Sequence, residues 1–174
     1  MEIERKFLLK HIPENLDSYP FHLIEQAYLN ITPVIRIRRQ DDEYYMTYKG
    51  SGMMSREEYN LPLNKEAYEH LLPKADGNVI SKKRYLIPLS PKEINQECLS
   101  LLGDTALTIE LDAFAPPFAP LLLAEVEFPN EEAARAFQMP EWFAMDVTED
   151  IRYHNSYMSS SAALSPVGTD FFQQ

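Results

Sequence analysis

The feature that most constrains the fold of this chain is an alternation of charged and apolar residues. It begins in "EIERKF", where Glu2, Glu4 and Lys6 occupy every second position. Residues i and i+2 of a β-strand point to the same face, so these three charges share one face of an extended strand. The pattern recurs, and we predict strands at residues 2–9, 26–30, 34–40, 43–50, 56–63, 79–89, 106–114 and 121–128.

Helical signals lie between and after these strands. Asn64 and Asn130 each precede a short helical pattern, and asparagine is a favourable N-cap. We predict helices at residues 65–72, 90–102, 131–137 and 148–158. The second of these helices could form a lid. We expect one domain over residues 1–158 and a loosely ordered tail over residues 159–174.

The charges at period two are sorted by strand. Acids lie at both ends of the chain and bases in the middle. The acids are Glu2, Glu4, Glu110, Asp112, Glu125 and Glu127, and the bases between them are Arg36, Arg38, Lys49, Arg56, Lys82 and Arg84. A solvated face of an antiparallel sheet explains the alternation of any single strand. The sorting favours a second interpretation, in which the sheet closes into a barrel with the charged faces inward. The opposite positions, including Ile37, Tyr59 and Leu61, would then form the core outside the barrel wall.

Charges inside a barrel are costly unless they are paired, hydrated or bound to a ligand. A ligand that carries both negative charge and a divalent metal ion meets this condition. Arginine pairs bidentately with phosphate oxygens, and lysine supplies a point charge. Carboxylates suit Mg²⁺ or Mn²⁺, which prefer oxygen ligands and often bridge to phosphates. The inward charges therefore indicate a site for a chain of phosphates with bound metal.

These residues carry a resemblance to a known family. The ordered set "EIERK", "RIR", "YK", "REEY", "KKRY", "IELDAF", "EVEF" and "DIRYHN" spans residues 2–155. It resembles the triphosphate tunnel metalloenzyme family, also called CYTH, and within it the small bacterial inorganic triphosphatases. The resemblance implies an α+β fold, in which an eight-stranded antiparallel β-barrel tunnel has a charged interior and helices packed outside.

The resemblance also implies roles for the charged residues. Catalytic positions would be Glu2, Glu4, Lys6, Arg38, Lys82 and Arg84. Substrate-binding positions would be Lys6, Arg36, Arg38, Lys49, Arg56, Lys82 and Arg84. The metal ligands would be Glu2, Glu4, Glu110, Asp112, Glu125 and Glu127, holding two Mg²⁺ or Mn²⁺ ions. Bases would hold the triphosphate in line while water attacks the terminal phosphorus.

Several functions share this fold. The leading hypothesis is a metal-dependent triphosphatase that cleaves inorganic tripolyphosphate to pyrophosphate and phosphate. The alternatives are a nucleoside or thiamine triphosphatase, an adenylate cyclase, and a non-catalytic polyphosphate-binding module. The retained acids Glu2, Glu4, Glu125 and Glu127 favour catalysis, because a pure binder needs fewer metal-site carboxylates.

The amino-acid composition restricts the kinds of partner and compartment that this protein can have. The chain has 16 Lys and Arg against 27 Asp and Glu, a net charge of −11, which argues against a general nucleic-acid binder. The single cysteine, Cys98, fits a reducing compartment. Without an apolar run long enough for a membrane span or a signal peptide, we expect a cytoplasmic protein with no membrane partner, either monomeric or a weak homodimer.

Three features depart from the family pattern or leave a choice open. Ile151 and His154 stand near the terminal motif, where close relatives carry bases, and the histidines of this chain are expected at the surface. The connection over residues 90–103 is longer than a hairpin. Tyr28 either lines the tunnel or packs in the core.

Overall fold

The computed structural model describes residues 2–160. Its strands are β1 (Glu2–Leu9), β2 (Phe21–Ile31), β3 (Val34–Gln40), β4 (Glu43–Lys49), β5 (Ser55–Arg56), β6 (Glu58–Leu63), β7 (Asp76–Pro88), β8 (Thr108–Phe114), β9 (Leu122–Glu127) and β10 (Phe143–Asp146). Its helices are α1 (Lys65–Leu71), α2 (Gln96–Leu101), α3 (Glu131–Ala136) and α4 (Asn155–Ser160). No helix among residues 2–160 is both long and apolar enough to cross a membrane.

Each predicted strand is present, and β2 and β7 are longer than predicted. Strand β10 was not predicted from the sequence. The predicted helix over 90–102 is instead a 3₁₀ turn, Pro91–Glu93, followed by α2. The predicted helix over 148–158 is likewise a 3₁₀ turn, Ile151–Tyr153, followed by α4. Helix α4 runs two residues into the predicted tail, and residues 161–174 of that tail lie outside the described residues.

The strands close into an antiparallel barrel. Hydrogen bonding joins β1, β9, β8, β7, β2, β3, β4 and β6 in that order. Closure comes from β5, which directly precedes β6 and pairs with β1 through Glu2–Arg56 and Ile3–Ser55. When β5 and β6 are taken as one bent strand, the barrel has the eight strands that were predicted. Strand β10 adds to β1 beyond β5, at Phe7–Leu9.

Apolar side chains on the outer faces of the strands pack under short helices. Phe7, Ile109 and Val126 are at most 2% exposed and form the centre of a cluster under α2 and α3. Arg5 ties α3 to the wall, because Nη1 donates to the carbonyls of Ala134 and Phe137 at 2.7 Å each. These carbonyls lie at the end of α3, where a cation is favourable. A second outer cluster packs α1 against β2 and β3.

A third apolar cluster lies inside the barrel. On β1, β7 and β9, the inward positions continue past the charges to Leu8, Ile80 and Leu123, each at most 4% exposed. Tyr153 and Met158, from the C-terminal segment, complete this cluster. The interior is therefore charged toward one end and apolar toward the other. The prediction of a core wholly outside the wall was wrong in this respect.

Helix α4 approaches the barrel closely at Gly77. Gly77 has φ +71°, and a Cβ atom there would lie 2.1 Å from the carbonyl oxygen of Ser159. Only glycine accommodates both the backbone conformation and this contact. Gly77 thus permits α4 to seat over the apolar end of the barrel, and Ser159 is only 1% exposed.

Part of the outer surface is apolar and uncovered. Ile37 is fully buried under α1, as predicted. Tyr59 and Leu61, which were predicted to be core, are 57% and 58% exposed on the outer face of β6. The prediction for these two was wrong because α1 is only seven residues long and its cluster does not include them.

Candidate active site

The charged inward positions enclose a cavity of about 280 Å³. Most of the predicted site residues line it: Glu2, Glu4, Lys6, Arg36, Arg38, Lys49, Arg56, Arg84, Glu110, Glu125 and Glu127. Glu58, His22, Gln40 and Leu86 contribute further to the lining. Strand periodicity explains the convergence, because each strand places its alternate residues on the concave face of the closed sheet.

One side of the cavity holds tightly paired charges, and we call it the paired wall: Lys6, Arg84, Asp112 and Glu125. Lys6 contacts Glu125, and Arg84 contacts both Glu125 and Asp112. Burial alone would raise the pKa of Glu125, but Lys6 and Arg84 beside it hold that pKa well below its usual range. Glu125 is therefore a carboxylate shared between two cations.

Lys82 lies behind this wall, and neither Lys82 nor Asp112 lines the cavity itself. Both side chains are 0% exposed, and they form an ion pair with each other. Burial and the nearby Arg84 lower the pKa of Lys82 to about 8, so its amine is still mostly protonated at neutral pH. The structure does not bring Lys82 or Asp112, predicted as phosphate and metal contacts respectively, to the surface of the cavity.

At the junction of β1, β4 and β5, a second set of pairs lines the cavity. Lys49 donates to Glu2 at 2.7 Å and lies 2.7 Å from Glu58. Arg56 donates to Glu2 and Glu4 at 3.0 Å each. The acids predicted to bind metal are thus held by basic side chains in this structure.

The opposite side is different, and we call Arg36 and Arg38 the β3 wall. Arg36 is 4% exposed; its Nη2 donates to the Thr47 hydroxyl at 3.0 Å, and its Nε has no hydrogen-bond partner within residues 2–160. Arg38 is 8% exposed and donates to the neutral side chain of Gln26. Within the described chain neither arginine forms an ion pair. Burial, with Arg38 nearby, lowers the pKa of Arg36.

A cation would be most favourable beside Glu127, because other carboxylates surround it. Burial raises its pKa, and the neighbouring carboxylates of Glu2 and Glu110 raise it further. Oxygen donors of this kind match Mg²⁺ or Mn²⁺. In residues 2–160, however, no three acidic, histidine or cysteine side chains converge closely enough to hold a metal ion. The donor chemistry fits a divalent metal, while Glu2, Glu4 and Glu125 are turned toward bases.

Sequence reasoning missed several lining residues. His154 was expected at the surface, but it is 5% exposed, lines the cavity, and its Nε2 lies 2.9 Å from the Thr148 carbonyl oxygen. Asn155 and Ser156 also line the cavity. The position of Tyr28 was left open between the tunnel and the core. It lines the cavity and also packs in the third apolar cluster inside the barrel. In the sequence, only the closing "DIRYHN" stretch pointed to this segment.

Comparisons with known proteins identify relatives of this arrangement. The CYTH domain family model matches residues 1–138. An inorganic triphosphatase of Nitrosomonas europaea is 39% identical over 165 residues, covering 92% of this chain and 97% of that protein. An inorganic triphosphatase of Acetivibrio thermocellus is 32% identical over 164 residues, covering 89% and 90%. A crystal structure of an inorganic triphosphatase matches with a TM-score of 0.65 at 36% identity, covering 92% of this chain and 95% of that chain.

Proposed function

The chain belongs to the CYTH domain family, and from this premise we propose that it is a divalent-metal-dependent triphosphatase. Its substrate is inorganic tripolyphosphate, which it cleaves to pyrophosphate and phosphate. Similarity to two proteins named inorganic triphosphatases supports the reaction class. The observation that carries the proposal is the β3 wall, since two buried arginines without carboxylate partners face a cavity rimmed by carboxylates.

Recruitment of the anion follows from the uncompensated charge. Arg36 and Arg38 have been removed from water without an ion-pair partner among residues 2–160, so a phosphate oxygen gains a strong charge-assisted hydrogen bond there. Lys6, Lys49 and Arg56 reach the same cavity. A bound triphosphate would compete with Glu2, Glu4 and Glu125 for these bases. We therefore propose that substrate binding releases carboxylate oxygens.

The released carboxylates are the proposed metal ligands. Glu2, Glu4, Glu125 and Glu127 line the cavity, with Glu110 on the neighbouring strand. A divalent ion held there would neutralise phosphate oxygens and lower the pKa of bound water. Asp112 and Lys82 act from behind by fixing Arg84, so we propose positioning roles for them in place of direct contact.

The proposed hydrolysis is an in-line displacement at the terminal phosphorus. The oxygen of water bonds to phosphorus as the bridging P–O bond breaks. Pyrophosphate leaves with the electron pair, and the proton given up by the water passes to solvent. Arg38 and Arg84 hold the oxygens on which negative charge spreads. Glu2 and Glu4 complete the catalytic set as metal ligands, with Lys6 on the substrate.

The lining of the cavity favours an inorganic substrate over a nucleotide. Tyr28 is the only Phe, Tyr or Trp among the described residues that line it. A base-binding pocket usually offers an aromatic or apolar surface for stacking. A nucleoside triphosphatase or a cyclase would have to place the base outside this cavity.

Phosphate release tests the proposal. Metal-stripped protein is supplied with Mg²⁺ or Mn²⁺ and with tripolyphosphate, ATP or thiamine triphosphate, and Glu4→Gln serves as the control. We expect metal-dependent release that is fastest from tripolyphosphate and abolished in Glu4→Gln. Tight binding without release would indicate a binding module, and preferential use of ATP or thiamine triphosphate would indicate one of the other activities. Full activity of Glu4→Gln would refute its metal role.

We further propose that the protein acts in the cytoplasm, as a monomer or weak homodimer without a nucleic-acid partner. The net charge of −11 would repel nucleic acid. Tyr59 and Leu61 are two neighbouring exposed apolar residues of β6 against which a second copy could pack. Light scattering after gel filtration, across a range of concentrations, would measure the mass, and a change of Leu61→Asp should abolish any dimer formed through this face.

A further inference from the structure

Gln26 is a buried polar residue of β2 that the charge pattern did not mark. Its side chain is 0% exposed, and a buried amide is costly unless its polar atoms are hydrogen-bonded. Gln26 stands directly opposite Arg38 in the β2–β3 register. Its Oε1 accepts two hydrogen bonds from Arg38, at 2.9 Å from Nε and 2.7 Å from Nη2.

The other end of the amide fixes its orientation. Nε2 of Gln26 donates to the hydroxyl of Tyr28 at 3.3 Å. Since only the amide oxygen can accept two N–H groups from a guanidinium, the oxygen must face Arg38. Nη1 of Arg38 lies outside this clamp, with a long 3.4 Å contact to the Tyr45 hydroxyl.

A similar clamp occurs on the neighbouring strand pair, β7 and β8, with a different acceptor. Asp112 stands directly opposite Arg84 in the β7–β8 register. It accepts from Nε and Nη2 of Arg84 at 2.7 Å each. Both arginines are therefore held through the same two nitrogens by a fully buried cross-strand neighbour. The carboxylate compensates the charge of Arg84, whereas the amide leaves the charge of Arg38 uncompensated.

We propose that Gln26 is a positioning residue that fixes the plane of the Arg38 guanidinium while keeping its full positive charge available to a substrate phosphate. The inference rests on the proposed triphosphatase function. It explains why a neutral residue, rather than an acid, occupies the position opposite Arg38. A glutamate at this position would hold the guanidinium equally well but would compete with the phosphate for its charge.

Three variants separate orientation from charge. Gln26→Glu keeps the clamp and adds a negative charge; Gln26→Met removes the acceptor and adds no charge. Gln96→Glu, at an exposed position of α2, adds the same charge outside the barrel and is the control. The measurements are kcat and KM for tripolyphosphate with Mg²⁺, the Kd for tripolyphosphate without metal, and Tm.

We expect Gln26→Glu to raise KM and the metal-free Kd by about tenfold or more, because a compensated cation attracts an anion less strongly. We expect Gln26→Met to lower kcat by about tenfold with a smaller change in KM, since a loose guanidinium is poorly oriented. Gln96→Glu should match the wild type.

Other results would overturn the inference. A wild-type KM and Kd in Gln26→Glu would show that the neutral acceptor is irrelevant. If Gln26→Glu does not fold, a wild-type kcat in Gln26→Met would equally refute the positioning role. Lower Tm in both variants with unchanged kinetics would leave Gln26 purely structural. Failure of the wild-type protein to bind or cleave tripolyphosphate would instead refute the proposed function itself.

Discussion

The two sides of the cavity both carry buried cations, but they differ in what those cations contact. On the paired wall, Lys6 and Arg84 meet carboxylates. On the β3 wall, Arg36 and Arg38 meet the neutral side chains of Thr47 and Gln26. Breaking a buried ion pair strands a charge, whereas removing a lone buried charge relieves one. Similar basic residues can therefore stabilise the fold on one side of the cavity and bind a ligand on the other.

The largest expected effect is on the β3 wall. Arg36→Met should lower kcat/KM for tripolyphosphate by about a hundred- to a thousandfold, because losing one partner of a buried, hydrogen-bonded charge contact costs about 2–5 kcal/mol of binding. Because Arg36 has no carboxylate partner in residues 2–160, we expect the free energy of unfolding to stay the same or rise by up to about 1 kcal/mol. Steady-state kinetics and urea denaturation check both parts. A large loss of stability in Arg36→Met would show that the β3 wall stabilises the fold as the paired wall does, and would contradict the proposed difference between them.

The next largest effect is on the paired wall and has the opposite sign for stability. Asp112→Asn keeps the shape but strands Lys82 and removes one of the carboxylates that hold Arg84, which should cost about 3 kcal/mol of unfolding free energy. Glu69→Gln is the control, since the Lys65–Glu69 pair on α1 is exposed and 3.6 Å long, and should cost under about 0.5 kcal/mol. Urea denaturation measures both. Equal stability of Asp112→Asn and the wild type would contradict the stabilising role assigned to the paired wall.

A smaller effect concerns the coupling between anion binding and metal binding in the cavity. If an anion frees Glu2, Glu4 and Glu125 from their bases, it should tighten Mn²⁺ binding to the protein by about tenfold, a typical coupling between sites. Calorimetric titration with and without pyrophosphate, corrected for the metal–pyrophosphate complex in buffer, measures this coupling. Arg36→Met should weaken it. Identical Mn²⁺ affinity in both titrations would mean that the carboxylates do not need release.

The smallest effect is a pH dependence at His154. Burial lowers its pKa, and the charges of Lys6 and Arg56 lower it further. The unfolded chain therefore takes up a proton near the ordinary pKa of about 6.5, before the folded chain does. His154 should cost no stability above this pH and should destabilise the fold progressively as the pH falls through its folded pKa.

Thermal unfolding between neutral and mildly acidic pH measures this slope. His154→Gln should lose less Tm on acidification than the wild type. The exposed His70→Gln should behave like the wild type. Parallel curves for all three proteins would show that the cations of the cavity do not act on His154.

The barrel and most of its lining were predictable because period-two alternation is a local property. Once Glu2, Glu4 and Lys6 are assigned to one face, closure of the sheet turns that face inward. The ion pairs between these side chains were not predictable, because they depend on the register between strands that are distant in the sequence. Lys82 and Arg84 share a strand face, yet Lys82 is sealed behind Asp112 and only Arg84 reaches the cavity.

Neutral residues of the site were the hardest to find. Gln26 begins a predicted strand and carries no charge, so nothing in its local sequence marks it. His154 reaches the cavity from the turn before α4, where its Nε2 lies 2.9 Å from the Thr148 carbonyl oxygen, a contact that local sequence does not predict. Tyr59 and Leu61 show the reverse error: they alternate like core residues, but α1 does not extend over them.

The most direct test is a calorimetric titration of metal-stripped protein with tripolyphosphate. We predict that the wild-type protein binds tripolyphosphate without metal, that Arg36→Met loses most of that affinity, and that Gln96→Glu retains it. This result would establish the β3 wall as the origin of anion recognition. Absence of metal-free binding by the wild type, or equal affinity in Arg36→Met, would contradict the claim that Arg36 and Arg38 are kept free for phosphate.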